Sequence, residues 1–261
     1  MLALTRAVPP SIERCELTHL QRTAIDYAQA VREHAAYEDA LRAVGCRVER
    51  LPDLPGHPDS VFVEDTAIVF DAVAVIARPG AASRRGEVES TALALAKYRP
   101  LAYVRAPATL DGGDVLVTPR AVFVGVTGRS NADGVRQLAT ILAPHRIQVV
   151  PVPVTGCLHL KSAVTFCGWR EGLGCLLINP GFVEPSIFEG FDLIEVDPAE
   201  PDAANVLASG RHVICPEAHT RTRRRLEAHG FVTLSVPAAE LAKAEGGVTC
   251  GSLVFPVPSQ H

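Results

Sequence analysis

The chain has no excess of basic residues: 25 lysines and arginines stand against 29 aspartates and glutamates, a net charge of −4. A surface built to neutralise phosphates carries a basic surplus, so nucleic acid is excluded as the expected partner. No apolar run approaches the roughly 18–20 residues that span a bilayer. The first ten residues show no charged segment leading into a long apolar stretch. The expectation is therefore a cytoplasmic protein with no membrane partner. The seven cysteines, at 15, 46, 157, 167, 175, 215 and 250, make no C-x-x-C pair, which argues against a zinc knuckle or a thioredoxin-type redox site. They are expected as reduced thiols, most of them small buried apolar groups. No Gly/Ser-rich linker divides the chain, so residues 1–261 are read as one domain.

What is present is 48 % hydrophobic and 21 % charged, which excludes a disordered or collagen-like chain. Self-similarity recurs at intervals of roughly 45 residues. Each unit reads as a polar corner, an apolar strand, a turn, a second apolar strand, then a helix and a further strand. The first opens at Glu64-Asp65 and runs through two strands to a helix over 85–98. The second opens at Asp111-Gly112-Gly113-Asp114, with its helix over 131–142 and a closing strand at 148–152. The third opens at Leu158-His159-Leu160-Lys161, with strands at 163–167 and 175–178. The fourth opens at Asp202-Ala203-Ala204-Asn205 and carries a helix over 220–230. A fifth is assembled from both ends of the chain, strand 2–5, helix 27–44 and strand 46–50 joined by 252–255. Strands that are apolar at nearly every position are covered on both faces. That predicts an α/β assembly of repeats around a central axis.

Superposed repeats bring their corners together: Asp59 with Glu64 and Asp65, Asp111 with Asp114, then His159, Asn205 and Cys250. An acidic turn residue ordinarily caps a helix or satisfies loop amides, and each aspartate admits that reading. The pair Glu64-Asp65 follows the apolar Val61-Phe62-Val63 directly, and two such carboxylates are costly to bury unless a cation meets them. A cationic substrate would supply one. Cys250 lies in Glu245-Gly246-Gly247-Val248-Thr249-Cys250-Gly251-Ser252, where glycines permit close approach of a ligand. Cys46, Cys167, Cys175 and Cys215 read as buried thiols. The glycine density around Cys250 points instead to a nucleophile, which needs an acid/base partner. Of nine histidines, His159 alone opens a repeat. A histidine between two leucines is equally a satisfied core group, so the pairing stays open at this level. Two ligands with no third close in sequence argue against structural zinc at Cys250 and His159. The arginine-rich segment 221–225 reads as a solvated helix face.

The motifs Pro58-Asp59-Ser60-Val61-Phe62-Val63-Glu64-Asp65, Ser83-Arg84-Arg85-Gly86-Glu87, Leu110-Asp111-Gly112-Gly113-Asp114, Leu158-His159-Leu160-Lys161-Ser162, Ala203-Ala204-Asn205 and Gly246-Gly247-Val248-Thr249-Cys250 occur in that order. Together they resemble the dimethylarginine dimethylaminohydrolase (dimethylargininase) family of the amidinotransferase-like, or pentein, superfamily, and the resemblance covers essentially the whole chain. It implies a five-bladed α/β propeller with no cofactor and no metal. It also implies that Cys250 is the nucleophile, His159 the general acid/base and Asp111 the acidic third member. Asp65 would grip a substrate guanidinium, with Glu64 flanking it. Asp59 and the carbonyl of Leu17 would hold an α-amino group, Arg84 and Arg129 an α-carboxylate. Ala244 would contribute a backbone carbonyl where the family has a larger aliphatic residue. The family's Arg-Thr-Asn is Arg129-Ser130-Asn131 here.

The implied reaction is hydrolysis of asymmetric dimethylarginine or monomethylarginine to citrulline and dimethylamine or methylamine, through a covalent thiouronium. The expected partner is a small guanidino amino acid, and a homodimer is among the assemblies expected. An arginine deiminase-like or other guanidine hydrolase is the alternative. Those relatives carry His-x-Asp where this chain has His159-Leu160-Lys161, and losing that acceptor suits a nitrogen bearing methyl groups. A ribosome-binding relative of the same fold is a third reading, and it would need none of the cysteine, histidine and arginines.

Overall fold

Short strands that are apolar on both faces must be sandwiched, and in the computed structural model, which describes residues 1–257, they form five separate three-stranded sheets. The amino-terminal chain lays down β1 (Leu2–Arg6), helix α1 (Tyr27–Ala43) and β2 (Arg47–Leu51). The second unit is β3 (Ala67–Val69), β4 (Ala74–Ile76), α2 (Val88–Leu95) and β5 (Leu101–Tyr103). The third is β6 (Val115–Val117), β7 (Val122–Val126), α3 (Ala132–Leu142) and β8 (Val149–Pro153). The fourth starts with the short helix α4 (Leu160–Ala163), then β9 (Val164–Arg170), β10 (Leu173–Ile178) and β11 (Asp192–Glu195). A 3-10 turn at Pro185–Phe188 replaces the crossover helix there. The fifth is β12 (Leu207–Ser209), β13 (His212–Pro216), α5 (Thr220–Ala228) and β14 (Val232–Val236). After α6 (Ala239–Ala242), β15 (Leu253–Phe255) returns to the first sheet.

Every sheet repeats one pattern, an antiparallel hairpin followed by a parallel third strand, as in Ile68↔Val75 and Val75↔Ala102. The first sheet obtains its hairpin strand from the other end of the chain, β15 pairing antiparallel with β1 at Ala3↔Val254. The molecule is thus a five-bladed α/β propeller closed by its own termini. Asp26 and Asn131 start α1 and α3, their carboxylate and amide oxygens accepting the N–H of Gln29 and Gly134 at 2.9 Å each. The helix expected over 85–98 is shorter, because Ala82–Arg84 forms a 3-10 turn whose arginine is drawn inward by buried carboxylates. Cys46, Cys167, Cys175 and Cys215 are buried free thiols. Among the described residues no helix is long and apolar enough to cross a membrane.

Closure depends on Phe255. Its ring is buried among Leu2, Leu4 and Leu95, with Tyr98 edge-on at 5.7 Å between centroids. Phe255→Ala is expected to cost about 3–5 kcal/mol, the usual range for truncating a buried aromatic. Urea unfolding at unchanged slope is the measurement, and a loss below about 1 kcal/mol would show that the returning strand carries little of the fold.

Candidate active site

Each blade enters its first strand through a tight corner. Val63–Thr66 precedes β3, Gly112–Asp114 precedes β6, α4 precedes β9, and Thr249–Gly251 precedes β15. Repetition of that entry makes the corner side chains converge, and Asp65, His159 and Cys250 line one pocket although up to 185 positions separate them in the chain.

His159 sits just ahead of α4 and is 4 % exposed. Its Nε2 lies 3.2 Å from Asp111 Oδ2, while Asp111 Oδ1 accepts the Gly80 N–H at 2.8 Å. Asp114 fixes the histidine through the backbone: its Oδ1 accepts the Leu160 N–H at 2.9 Å. Its Oδ2 accepts the hydroxyls of Thr127 and Ser130 at 2.7 and 2.6 Å. Ser130 also accepts the Asp111 N–H at 3.0 Å, tying the two aspartates together. Gly113 leaves room for the imidazole, since a Cβ there would stand 2.6 Å from His159 Nδ1 and 2.7 Å from Asp65 Oδ1. Burial works against an imidazolium, but Asp65, Asp114 and Asp111 outweigh it and raise His159 to about 9.

Asp65 faces the other imidazole nitrogen, its Oδ1 being 3.8 Å from Nδ1 and accepting the Gly113 N–H at 3.0 Å. Its Oδ2 is paired with Arg84 Nη1. Although burial opposes its ionisation, His159, Arg84 and the Gly113 amide hold Asp65 below the usual carboxylate range. Cys250 is 8 % exposed, with the Gly247 N–H directed at its sulfur at 3.3 Å. Burial pushes its thiol up, and Glu64 and Asp65 push it further. Without a ligand at neutral pH the two groups are therefore thiol and imidazolium. From behind, the Tyr37 hydroxyl of α1 lies 2.6 Å from Ser252 Oγ and pins the same turn.

The remaining predicted residues divide into three groups. Asp59, Arg84, Arg129 and Ala244 line the pocket with Cys250. Leu17 packs half-buried against the apolar cluster that contains Ala244 and Cys250. Glu64 faces away from the pocket, its Oε1 on Lys161 Nζ at 2.5 Å and its Oε2 on Thr249 Oγ1 at 2.6 Å. Arg84 is buried, its Nε donating to Glu87 and its Nη2 to Glu87 and the carbonyls of Asp59 and Phe62. Burial raises the Asp59 carboxyl, with Arg84 opposing. Five further residues line the pocket beyond those expected from the sequence, namely Glu16, Phe62, Leu158, Glu245 and Gly246. Phe62 lies inside the apolar run before Glu64-Asp65, and Glu245 heads the glycine-rich turn at a left-handed φ of 59°.

The pocket holds about 20 Å³ of open space, room for about one water. Segment 16–20 is tied to three of the lining residues. Asp59 accepts the Glu16 N–H at 3.2 Å, Glu245 accepts the N–H groups of Thr18, His19 and Leu20 at 2.6–3.1 Å, and Arg129 Nη2 donates to Thr18 Oγ1 at 2.9 Å. Two residues expected to hold the polar ends of an amino acid thus hold the protein's own loop here. Asp65, Asp111 and His159 offer ligand atoms within 4.8 Å of one another, the one such group among the described residues. Those atoms are already engaged with each other, with Arg84 and with the Gly80 and Gly113 amides. Cys250 is outside that group.

The electrostatics give an expected titration. By NMR, the His159 imidazole should titrate near pH 9, and Asp111→Asn should move it down toward the ordinary 6.5 because one stabilising carboxylate is lost. A wild-type value already near 6.5 would contradict this account of the site.

No protein-family model matches the chain. Known proteins do. The N(G),N(G)-dimethylarginine dimethylaminohydrolase of Pseudomonas aeruginosa is 35 % identical over 232 residues, covering 88 % of this chain and 90 % of that protein. The protein of the same name from Streptomyces coelicolor is 38 % identical over 252 residues, 96 % of this chain and 95 % of its own. A structure of the Pseudomonas aeruginosa protein, a cysteine-to-serine mutant complexed with citrulline, matches with a TM-score of 0.91 at 33 % identity over 97 % of this chain and 98 % of that one. Identity at that level along nearly the full length, on a shared fold, means that the chain belongs to the dimethylarginine dimethylaminohydrolase family.

Proposed function

We propose that residues 1–261 act as one catalytic unit that hydrolyses asymmetric dimethylarginine and monomethylarginine to citrulline plus dimethylamine or methylamine. The observation that carries the reading is the shared pocket of a cysteine, a carboxylate-held imidazolium and a carboxylate already bonded to a guanidinium. The citrulline bound by the Pseudomonas aeruginosa protein is the product this reading requires.

The groups define the steps. A substrate guanidinium takes the Asp65 face beside His159 Nδ1, while Asp59 and the Leu17 carbonyl take the α-amino group and Arg84 and Arg129 the α-carboxylate, with the Ala244 carbonyl at the rim. That demands release of segment 16–20 from Asp59 and Arg129, and of Arg84 from Asp65, with which it is paired here. A cation next to Cys250 counters the burial that keeps it a thiol, and its proton leaves to solvent. The thiolate attacks the guanidinium carbon, and Nδ1 of His159 protonates the departing alkylamine as the C–N bond breaks. Asp111 on Nε2 keeps that ring in place and charged. Water, deprotonated by the now neutral His159, attacks the thiouronium carbon, and expulsion of the sulfur leaves citrulline. One water is consumed and one amine released.

Citrulline release from asymmetric dimethylarginine is expected to fall by at least about a thousandfold in Cys250→Ser, whose hydroxyl ionises far less readily. Equal rates would end the proposal. Because His159 in the free enzyme stays protonated to about pH 9, kcat/KM should fall above that pH as the acid is lost. Comparing kcat/KM for arginine and for the methylated arginines separates this activity from an arginine deiminase-like one.

A further inference from the structure

A second cavity, of about 920 Å³, shares no lining residue with the pocket. Glu64, Lys161 and Thr249 border it, whereas Asp65, His159 and Cys250 border the pocket. Three corners therefore alternate sides across a single layer of chain. The cavity-side residues are bonded to one another. Lys161 Nζ donates to Glu64 Oε1 at 2.5 Å, and Thr249 Oγ1 donates its only proton to Glu64 Oε2 at 2.6 Å. Asn205, from a fourth corner, completes the set. Its Oδ1 accepts the Thr249 N–H at 2.9 Å, and its Nδ2 donates to Thr249 Oγ1 and the Lys161 carbonyl at 3.1 Å each.

Thr249 has its amide and both hydroxyl functions engaged by groups that never enter the pocket, and the peptide it begins ends in Cys250. A buried carboxylate is held at this price only by a close cation and further hydrogen bonds, and Lys161 and Thr249 supply both. We propose that Lys161, Glu64 and Thr249, locked by Asn205, are positioning residues that set the turn presenting the Cys250 sulfur and act on catalysis through that turn. Glu64 accordingly works from behind the nucleophile and makes no contact with the substrate. The Lys161 charge also favours a thiolate across the turn, opposing Glu64. The proposal rests on Cys250 being the nucleophile.

Thr249→Val removes the hydroxyl at nearly constant volume and leaves the Glu64–Lys161 pair in place. It is expected to lower kcat by about ten- to a hundredfold with KM within about twofold, as loss of positioning does. Thr249→Ser, which keeps the hydroxyl, should recover kcat to within about threefold of wild type. Lys161→Met is read independently, by iodoacetamide alkylation of Cys250 followed by mass spectrometry across a pH series, and the midpoint should move to higher pH. A valine variant with wild-type kcat, a change confined to KM, a serine variant as impaired as valine, or an unmoved alkylation profile each overturns the proposal. Alkylation needs no methylarginine, so this relay can fail while turnover stands. An active Cys250→Ser would remove the reading of function instead.

Discussion

Desolvation of two adjacent carboxylates, Glu64 and Asp65, is the constraint around which the rest of the molecule is arranged. Both are nearly inaccessible to water, at 6 % and 2 % exposure, and neither could stay charged alone in such surroundings. The 3-10 turn Val63–Thr66 resolves this by sending them to opposite sides. Glu64 turns to Lys161 and Thr249, Asp65 to Arg84, His159 and the Gly113 amide. Arg84 comes from the same blade, but Lys161, Thr249, His159 and the Gly113 amide come from others, so the electrostatic requirement of one corner fixes the spacing of the rest. Removing one partner from such a set leaves a buried charge uncompensated, which costs far more than a surface ion pair contributes.

The propeller makes this possible because every blade enters its first strand by the same kind of turn. Residues that are remote in sequence arrive at equivalent places, and small differences at the turn decide which side of the layer a side chain faces. Gly113 is one such decision, for any side chain there would exclude the imidazole and displace the Asp65 carboxylate. The returning strand β15 is another. It closes the first sheet and, three residues before it begins, carries Cys250 into the ring of corners. Fold closure and presentation of the sulfur are thus one event in the chain, and loosening β15 would loosen both.

Blade limits are legible in the sequence because strand hydrophobicity and turn chemistry are local properties. Even the unit split between the two ends of the chain can be read from Leu2–Arg6 and Leu253–Phe255, since both are short apolar runs lacking a partner in their own neighbourhood. The corner residues can be ranked as well, through the paired acids and the glycines around Cys250. The facing of side chains is a different matter. Nothing local tells that Arg84 folds inward onto Asp65 and Glu87, because the acids that draw it are brought there by the tertiary fold. For the same reason Glu64 and Asp65, neighbours in the chain, could not be assigned to different cavities. Segment 16–20 was equally out of reach, as its anchors, Asp59, Arg129 and Glu245, are dispersed over almost the entire chain.

The charge balance around the pocket bears on what can bind there. Asp59, Glu64, Asp65, Glu87, Asp111 and Asp114 are all buried, and the cations directly bonded among them are Arg84, Lys161 and His159. Six carboxylates against three cations leave negative charge in excess. Burial raises Asp59, Glu64, Glu87 and Asp114, the last to about 6, and neighbouring acids add to the rise at Glu64 and Glu87. An entering monocation relieves that excess, whereas a neutral amide of the same shape leaves it unchanged. The pocket is therefore disposed to hold a guanidinium more tightly than the ureido group that would replace it after hydrolysis. The loss of charge on the ligand at the end of the reaction weakens its hold on Asp65 and favours its departure.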